Sequence, residues 1–155
     1  MSVIALDFDG TCVTHEYPKV GRILPGVRET LRILKENKHK LFLWTMRSRE
    51  IGLADARDFL IKNGIEIDEF NYSPNQFSTS PKQHANLYID DAACGCPLCH
   101  YKDTTGSMVL AVDWRQIAKW LMGFGYISYE QYEEIKDGID RTYRTEGTAY
   151  RPYSI

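Results

Sequence analysis

Short apolar runs that stop abruptly at carboxylates or hydroxyls, with helix-period segments between them, constrain this chain more than any other feature. Val3-Ile4-Ala5-Leu6 stops at Asp7-Phe8-Asp9-Gly10-Thr11, Leu41-Phe42-Leu43-Trp44 at Thr45-Met46-Arg47-Ser48, and Leu87-Tyr88-Ile89 at Asp90-Asp91. Apolar runs of this length without alternation suit strands buried on both faces. Pro25 can occupy a first helical turn, and Val27, Leu31 and Leu34 then recur at helical spacing until Asn37. Ser48 is the expected N-cap of a second helix, with Leu53, Ala56 and Leu60 on one face and Gly64 after Asn63 as its stop. Ile65 to Tyr72 reads as a weaker third strand and Met108 to Val112 as a further apolar run, followed by a helix face of Ile117, Trp120, Leu121 and Phe124. Parallel neighbours need crossover helices, so this alternation predicts an α/β fold with a mostly parallel central sheet. Ligands of such sheets gather beyond the carboxyl ends of the strands, where every group named above sits.

At 155 residues, with 43% hydrophobic and 26% charged, the chain suits one globular domain. The expected division is a core over about 1–125 and a C-terminal helix and tail over 126–155. Ser128 to Gln131 has capping-box spacing and opens that helix, whereas Thr142 to Ile155 lacks periodicity and reads as a surface tail. A net charge of -2 argues against nucleic-acid binding driven by bulk charge. No run approaches a membrane span, and Met1-Ser2-Val3-Ile4 lacks the basic and long apolar regions of a signal peptide, so the expected setting is cytoplasmic. Four cysteines are too few for a disulfide scaffold. Three of them, Cys94, Cys96 and Cys99, crowd with His100 into one short loop around Pro97, where tetrahedral zinc closure would be strained. Reduced thiols are the expectation.

Asp7 and Asp9 flank a single residue at a strand end, so both carboxylates can approach one small volume. Two anions so close call for a cation. Magnesium fits, because it takes hard oxygen ligands and commonly joins one or two carboxylates to substrate phosphate, and Asp90 and Asp91 can complete the oxygen set.

Asp7-Phe-Asp-Gly-Thr11, Thr45 at the end of an apolar strand, Lys82, and Tyr88-Ile-Asp-Asp91 follow one another in the order of four motifs. They resemble those of the haloacid dehalogenase superfamily of phosphohydrolases, and the likeness spans Val3 to Asp91. It implies a Rossmann-like three-layer fold and a magnesium-dependent phosphatase. Asp7 would be the nucleophile that forms an aspartyl-phosphate, and Asp9 the acid and base. Thr45 would hold a phosphoryl oxygen, and Lys82 would offset charge on Asp7 and the transferred group. Lys102 is a distant alternative to Lys82. The resemblance gives the metal the carboxylates of Asp7 and Asp90, the backbone carbonyl of Asp9, and Asp91 directly or through water.

Gly10, Thr11, Met46 and Arg47 are the expected substrate contacts, Arg47 because a guanidinium fork suits phosphate oxygens, with Arg49 a poorer candidate. A solvated Arg47 at a helix start is the competing reading. Neither Cys12 to Leu24 nor Thr45 to Lys82 has room for a cap domain. Capless relatives act on macromolecular or bulky phosphates or borrow a cover from another subunit, which leaves a homo-oligomer open. The expected partner is therefore a phosphorylated substrate of unspecified identity. Two alternatives stand beside it: a nucleic-acid end-processing phosphatase, which the net charge does not support, and a non-catalytic binding or regulatory module retaining the fold.

Overall fold

A computed structural model describes residues 1–153, and in it the apolar runs become strands. β1 (Val3–Leu6), β2 (Lys40–Leu43), β3 (Glu69–Phe70) and β4 (Leu87–Ile89) form one sheet in the order β3-β2-β1-β4, and every pairing in it is parallel. Helices α1 (Val27–Glu36) and α2 (Leu53–Lys62) connect the first three strands. Ile4, Leu6, Leu41, Leu43 and Ile89 share a core with Leu31 and Leu34 of α1 and Ala56 and Leu60 of α2. The arrangement is Rossmann-like, a parallel sheet flanked by helices, and it carries no cap domain among the described residues.

The other sheet face carries Val3, Ala5 and Phe42, and Ala85 packs against them. Its cover comes from the segment 71–86, which returns the chain from β3 to β4 without a helix. Asn86 anchors that segment: its Oδ1 accepts from Val3 N at 2.8 Å, and its own N donates to Val3 O at 2.8 Å. A chain lacking helical period over Ser73 to Asn86 still buries this face, because side-chain amides replace a helix's internal hydrogen bonds. Gln83 Oε1 accepts from Ser73 N at 2.8 Å and Gln76 Oε1 from His84 N at 2.7 Å.

Three expectations need correction. Met108 to Val112 (β6) lies outside the main sheet and pairs antiparallel with β5 (Leu98–Lys102). The thiol-rich segment is therefore partly a strand, whose alternation buries Cys99 and Tyr101 while Asp103 Oδ1 organises the hairpin turn. Ser48 is not the cap of α2. The helix begins at Leu53 behind Gly52, and Ser48 closes a preceding turn in which its Oγ accepts from Ile51 N at 3.2 Å. The C-terminal segment is tied down where described: His100 N donates to Arg151 O at 3.1 Å and Tyr153 N to Leu98 O at 2.9 Å, which extends the hairpin by a further stretch of pairing. Ser154 and Ile155 of the expected tail lie outside the described residues.

Helix α3 (Trp114–Gly123) starts at Asp113, whose side chain accepts from Arg115 N and Gln116 N. Helix α4 (Tyr129–Glu146) starts at the expected capping box of Ser128 and Gln131. Both pack beside α1 and close the helical layer. No helix among the described residues is long and apolar enough to cross a membrane.

Candidate functional site

The β1 ladder runs one residue past the strand on both sides. Trp44 N donates to Leu6 O at 2.7 Å, and Asp7 N donates to Ile89 O at 3.0 Å. Asp7 is thereby set between the end of β2 and the Asp90-Asp91 pair that follows β4. One ligand oxygen from each of Asp7, Asp90 and Asp91 lies within 4.8 Å of the other two.

The turn after Asp7 makes that gathering possible. Gly10 has φ +83°, and a Cβ there would collide with the Asp91 carboxylate. Only glycine takes this backbone and leaves room for the acid. Thr11, fully buried, ties the two loops together: its Oγ1 donates to Asp7 Oδ2 at 3.2 Å and accepts from Asp91 N at 3.0 Å. Trp114 Nε1 donates to Thr11 O at 2.7 Å and fixes the turn against α3. Gly10 and Thr11 thus act on Asp7 and Asp91, and the expected direct substrate contact of the Thr11 side chain is corrected by its burial.

Burial, reinforced by the charges of Asp90 and Asp91, pushes the Asp7 carboxyl up to about 7, against the hydrogen bonds from Phe8 and Thr11 that lower it. Asp91 is also raised, by burial first and then by Asp90, with His15 pulling it down. Three carboxylates gathered into one small volume, two of them raised by burial and by their neighbours' charge, are the donor set a hard divalent cation relieves, and the residues present fit magnesium.

The Asp9 carboxylate does not join this set. It meets Arg47 in a two-point ion pair, Nε to Oδ2 at 2.7 Å and Nη2 to Oδ1 at 2.8 Å. Arg47 is only 1% exposed, and its remaining hydrogen bonds go to the carbonyls of Pro18, Lys19 and Gly52. The ring centroids of Phe8 and Tyr17 each lie 5.2 Å from the guanidinium carbon. Both sequence readings of Arg47, as a phosphate contact and as a solvated side chain, are therefore corrected: its donors are spent on positioning Asp9 and the 17–19 loop. The physical reason is the fork itself, which satisfies a carboxylate and several carbonyls at once inside the core.

Thr45, half-buried, follows Trp44 at the strand end, and its N donates to Asn71 Oδ1 at 2.9 Å. Asn71 Nδ2 donates to Arg47 O at 2.8 Å, so one side chain holds the Thr45-to-Arg47 loop from the end of β3. Asn71 has φ 55°, a conformation asparagine tolerates better than most residues. Sequence reasoning missed Asn71, whose only signal was an Asn at a strand end, and also missed His15.

Lys82 is not placed with the acids. It is exposed, its carbonyl accepts from Gln76 Nε2 at 3.2 Å, and the charges that weigh on Asp7 are those of Asp90 and Asp91. The expected neutralising role at Asp7 is corrected for this arrangement, because the Gln76 cross-links fold residues 78–84 back on their own loop. The distant alternative, Lys102, sits exposed at the end of the β5 hairpin strand. Met46 is 98% exposed and Arg49 is exposed beside Leu53 and Arg57. Cys94, Cys96, Cys99 and His100 are not gathered as ligands. Cys99 is buried with Sγ donating to Arg151 O at 3.0 Å, whereas Cys94 is exposed.

No family model and no curated protein matches the chain. A solved structure of a conserved protein from Bacteroides thetaiotaomicron is similar to it at 32% sequence identity and a TM-score of 0.62, over 84% of this chain and 95% of that one.

Proposed function

The chain belongs to the family of the conserved Bacteroides thetaiotaomicron protein, and we propose that it is a magnesium-dependent phosphatase that hydrolyses a phosphomonoester through an aspartyl-phosphate. The observation that carries this reading is the gathering of Asp7, Asp90 and Asp91 at the carboxyl ends of adjacent parallel strands, where α/β sheets bind ligands. The motif order that resembles the haloacid dehalogenase superfamily supports it. Asp7, Asp90 and Asp91 would hold the magnesium, which supplies charge neutralisation and orientation of a substrate phosphoryl oxygen.

The residues of the chain account for the remaining steps. An Asp7 oxygen attacks phosphorus, the bond from phosphorus to the leaving oxygen breaks, and the departing alcohol takes a proton. Water then attacks the acyl phosphate, releasing inorganic phosphate and restoring the Asp7 carboxylate. Asp9 serves as acid and then base, and the Arg47 fork fixes its rotamer while leaving each oxygen a second lone pair. The Thr45 hydroxyl, carried on a backbone that Asn71 anchors and itself accepting from Arg47 N, donates to a phosphoryl oxygen.

The test is phosphate release by purified protein with magnesium across nucleotides, sugar phosphates and phosphorylated oligonucleotides, together with Asp7→Asn. Turnover that stops in the folded variant, and a hydroxylamine-sensitive phosphoprotein in the wild type, are expected. Comparable turnover by Asp7→Asn overturns the mechanism.

A further inference from the structure

Trp44 stands out because of where the strand register puts it. β1 and β2 pair as Ala5↔Phe42 and Leu6↔Leu43, and the Trp44 N to Leu6 O bond carries the ladder one step further, so Trp44 is level with Asp7. Side chains alternate along strands, and Val3, Ala5 and Phe42 cluster on the face away from the helical layer. Asp7 and Trp44 are the next positions on that face. The rings of Phe42 and Trp44 lie 6.3 Å apart, which supports the indole from below, and the following residue is held by Asn71. Trp44 is 36% exposed, whereas Trp114 is wholly buried in the core. On the other side of β1, Tyr88 pairs with Ala5 on the same face and is also exposed, with its hydroxyl tied to Gln83 O.

An exposed indole on its own signifies nothing. A supported indole one strand away from the attacking carboxylate is different. Adjacent strands lie about 4.8 Å apart, a span that a pentose between phosphate and base bridges. We infer that Trp44 is a stacking platform for the leaving group, so that the substrate is a small phosphomonoester whose alcohol carries a planar aromatic ring, as in a nucleoside monophosphate. The inference rests on the phosphatase reading for its substrate and on the register for its geometry.

Ribose 5-phosphate and adenosine 5′-monophosphate share the same primary 5-hydroxyl as leaving oxygen, and only the second carries a base. The wild type should prefer the nucleotide roughly tenfold in kcat/KM, the scale of one base stacked on an aromatic side chain. Trp44→Leu should bring the ratio close to one, and Trp44→Phe should keep part of the preference. Calorimetric titration of Asp7→Asn with both compounds reads the same preference as affinity, without turnover. Equal affinities, or a preference that survives Trp44→Leu in a folded variant, overturn the stacking role. Tighter nucleotide binding that depends on Trp44, without hydrolysis of either compound by the wild type, supports the platform and counts against the phosphatase. Hydrolysis of both at equal efficiency has the opposite meaning.

Discussion

Replacing Asp7 with asparagine should stabilise the metal-free protein above neutral pH while ending turnover. In the folded chain the Asp7 carboxyl is raised from an ordinary 3.8 to about 7 by burial and by Asp90 and Asp91. It therefore keeps its proton in a range where the unfolded chain has lost it. Between about pH 4 and 7 the native state binds the extra proton, so stability contributed by this group falls as pH rises through that window and stays low above it. At about 1.4 kcal/mol for each tenfold change in proton affinity, the full displacement is worth about 4 kcal/mol, and partial solvent access at the strand ends reduces this to about 2–4 kcal/mol. An amide has the same shape and no such titration. In EDTA, urea unfolding of the two proteins should show the advantage of Asp7→Asn growing by about 2–4 kcal/mol between pH 4.5 and 8. Saturating magnesium should restore the wild type at pH 8 and do much less for the variant, because a ligand raises stability only where it binds the native state. A difference that does not vary with pH, or a variant less stable than wild type at pH 8, would refute the electrostatic crowding on which the metal assignment stands.

Arg47→Met should lower stability by about 3–5 kcal/mol in urea unfolding, because it strands the Asp9 carboxylate together with the Pro18 and Lys19 carbonyls. Arg47→Lys keeps the charge without the fork, so turnover should fall although magnesium affinity holds. Gly10→Ala should raise the magnesium concentration needed for half-maximal activity at least tenfold, since the new Cβ displaces Asp91; an unchanged magnesium titration would remove Gly10 from this role. Asn71→Ala should cost about 1–3 kcal/mol and reduce kcat more than it raises KM, as it frees the Thr45-to-Arg47 loop; an effect on KM alone would place Asn71 outside phosphoryl positioning.

Much of the fold was legible because burial on both faces writes itself into a strand as an unbroken apolar run. Val3 to Leu6 and Leu41 to Leu43 were readable as central strands, and the α1 stripe of Val27, Leu31 and Leu34 as the cover of one face. The β5 strand escaped because Cys94, Cys96 and Cys99 crowd around Pro97 as a loop does, and because its partner β6 lies outside the main sheet. The helix-less return from β3 to β4 left no pattern to find, since glutamine and asparagine side chains satisfy its backbone at positions that no period links.

The sequence by itself determined the α/β class and the positions at which acids, hydroxyls and a glycine end the strands, because chain alternation and residue chemistry are local properties. Tertiary structure decided which of those groups meet. Asp7 gathers with Asp90 and Asp91, more than eighty positions away, because β1 and β4 are neighbours in the sheet. Asp9 goes to Arg47, and Lys82 goes to solvent, because a buried carboxylate takes the nearest fork that can satisfy it and a loop held by its own amides does not bring a lysine to the strand ends. Pair distances between strands and loops depend on sheet order and packing, and no spacing along the chain encodes them.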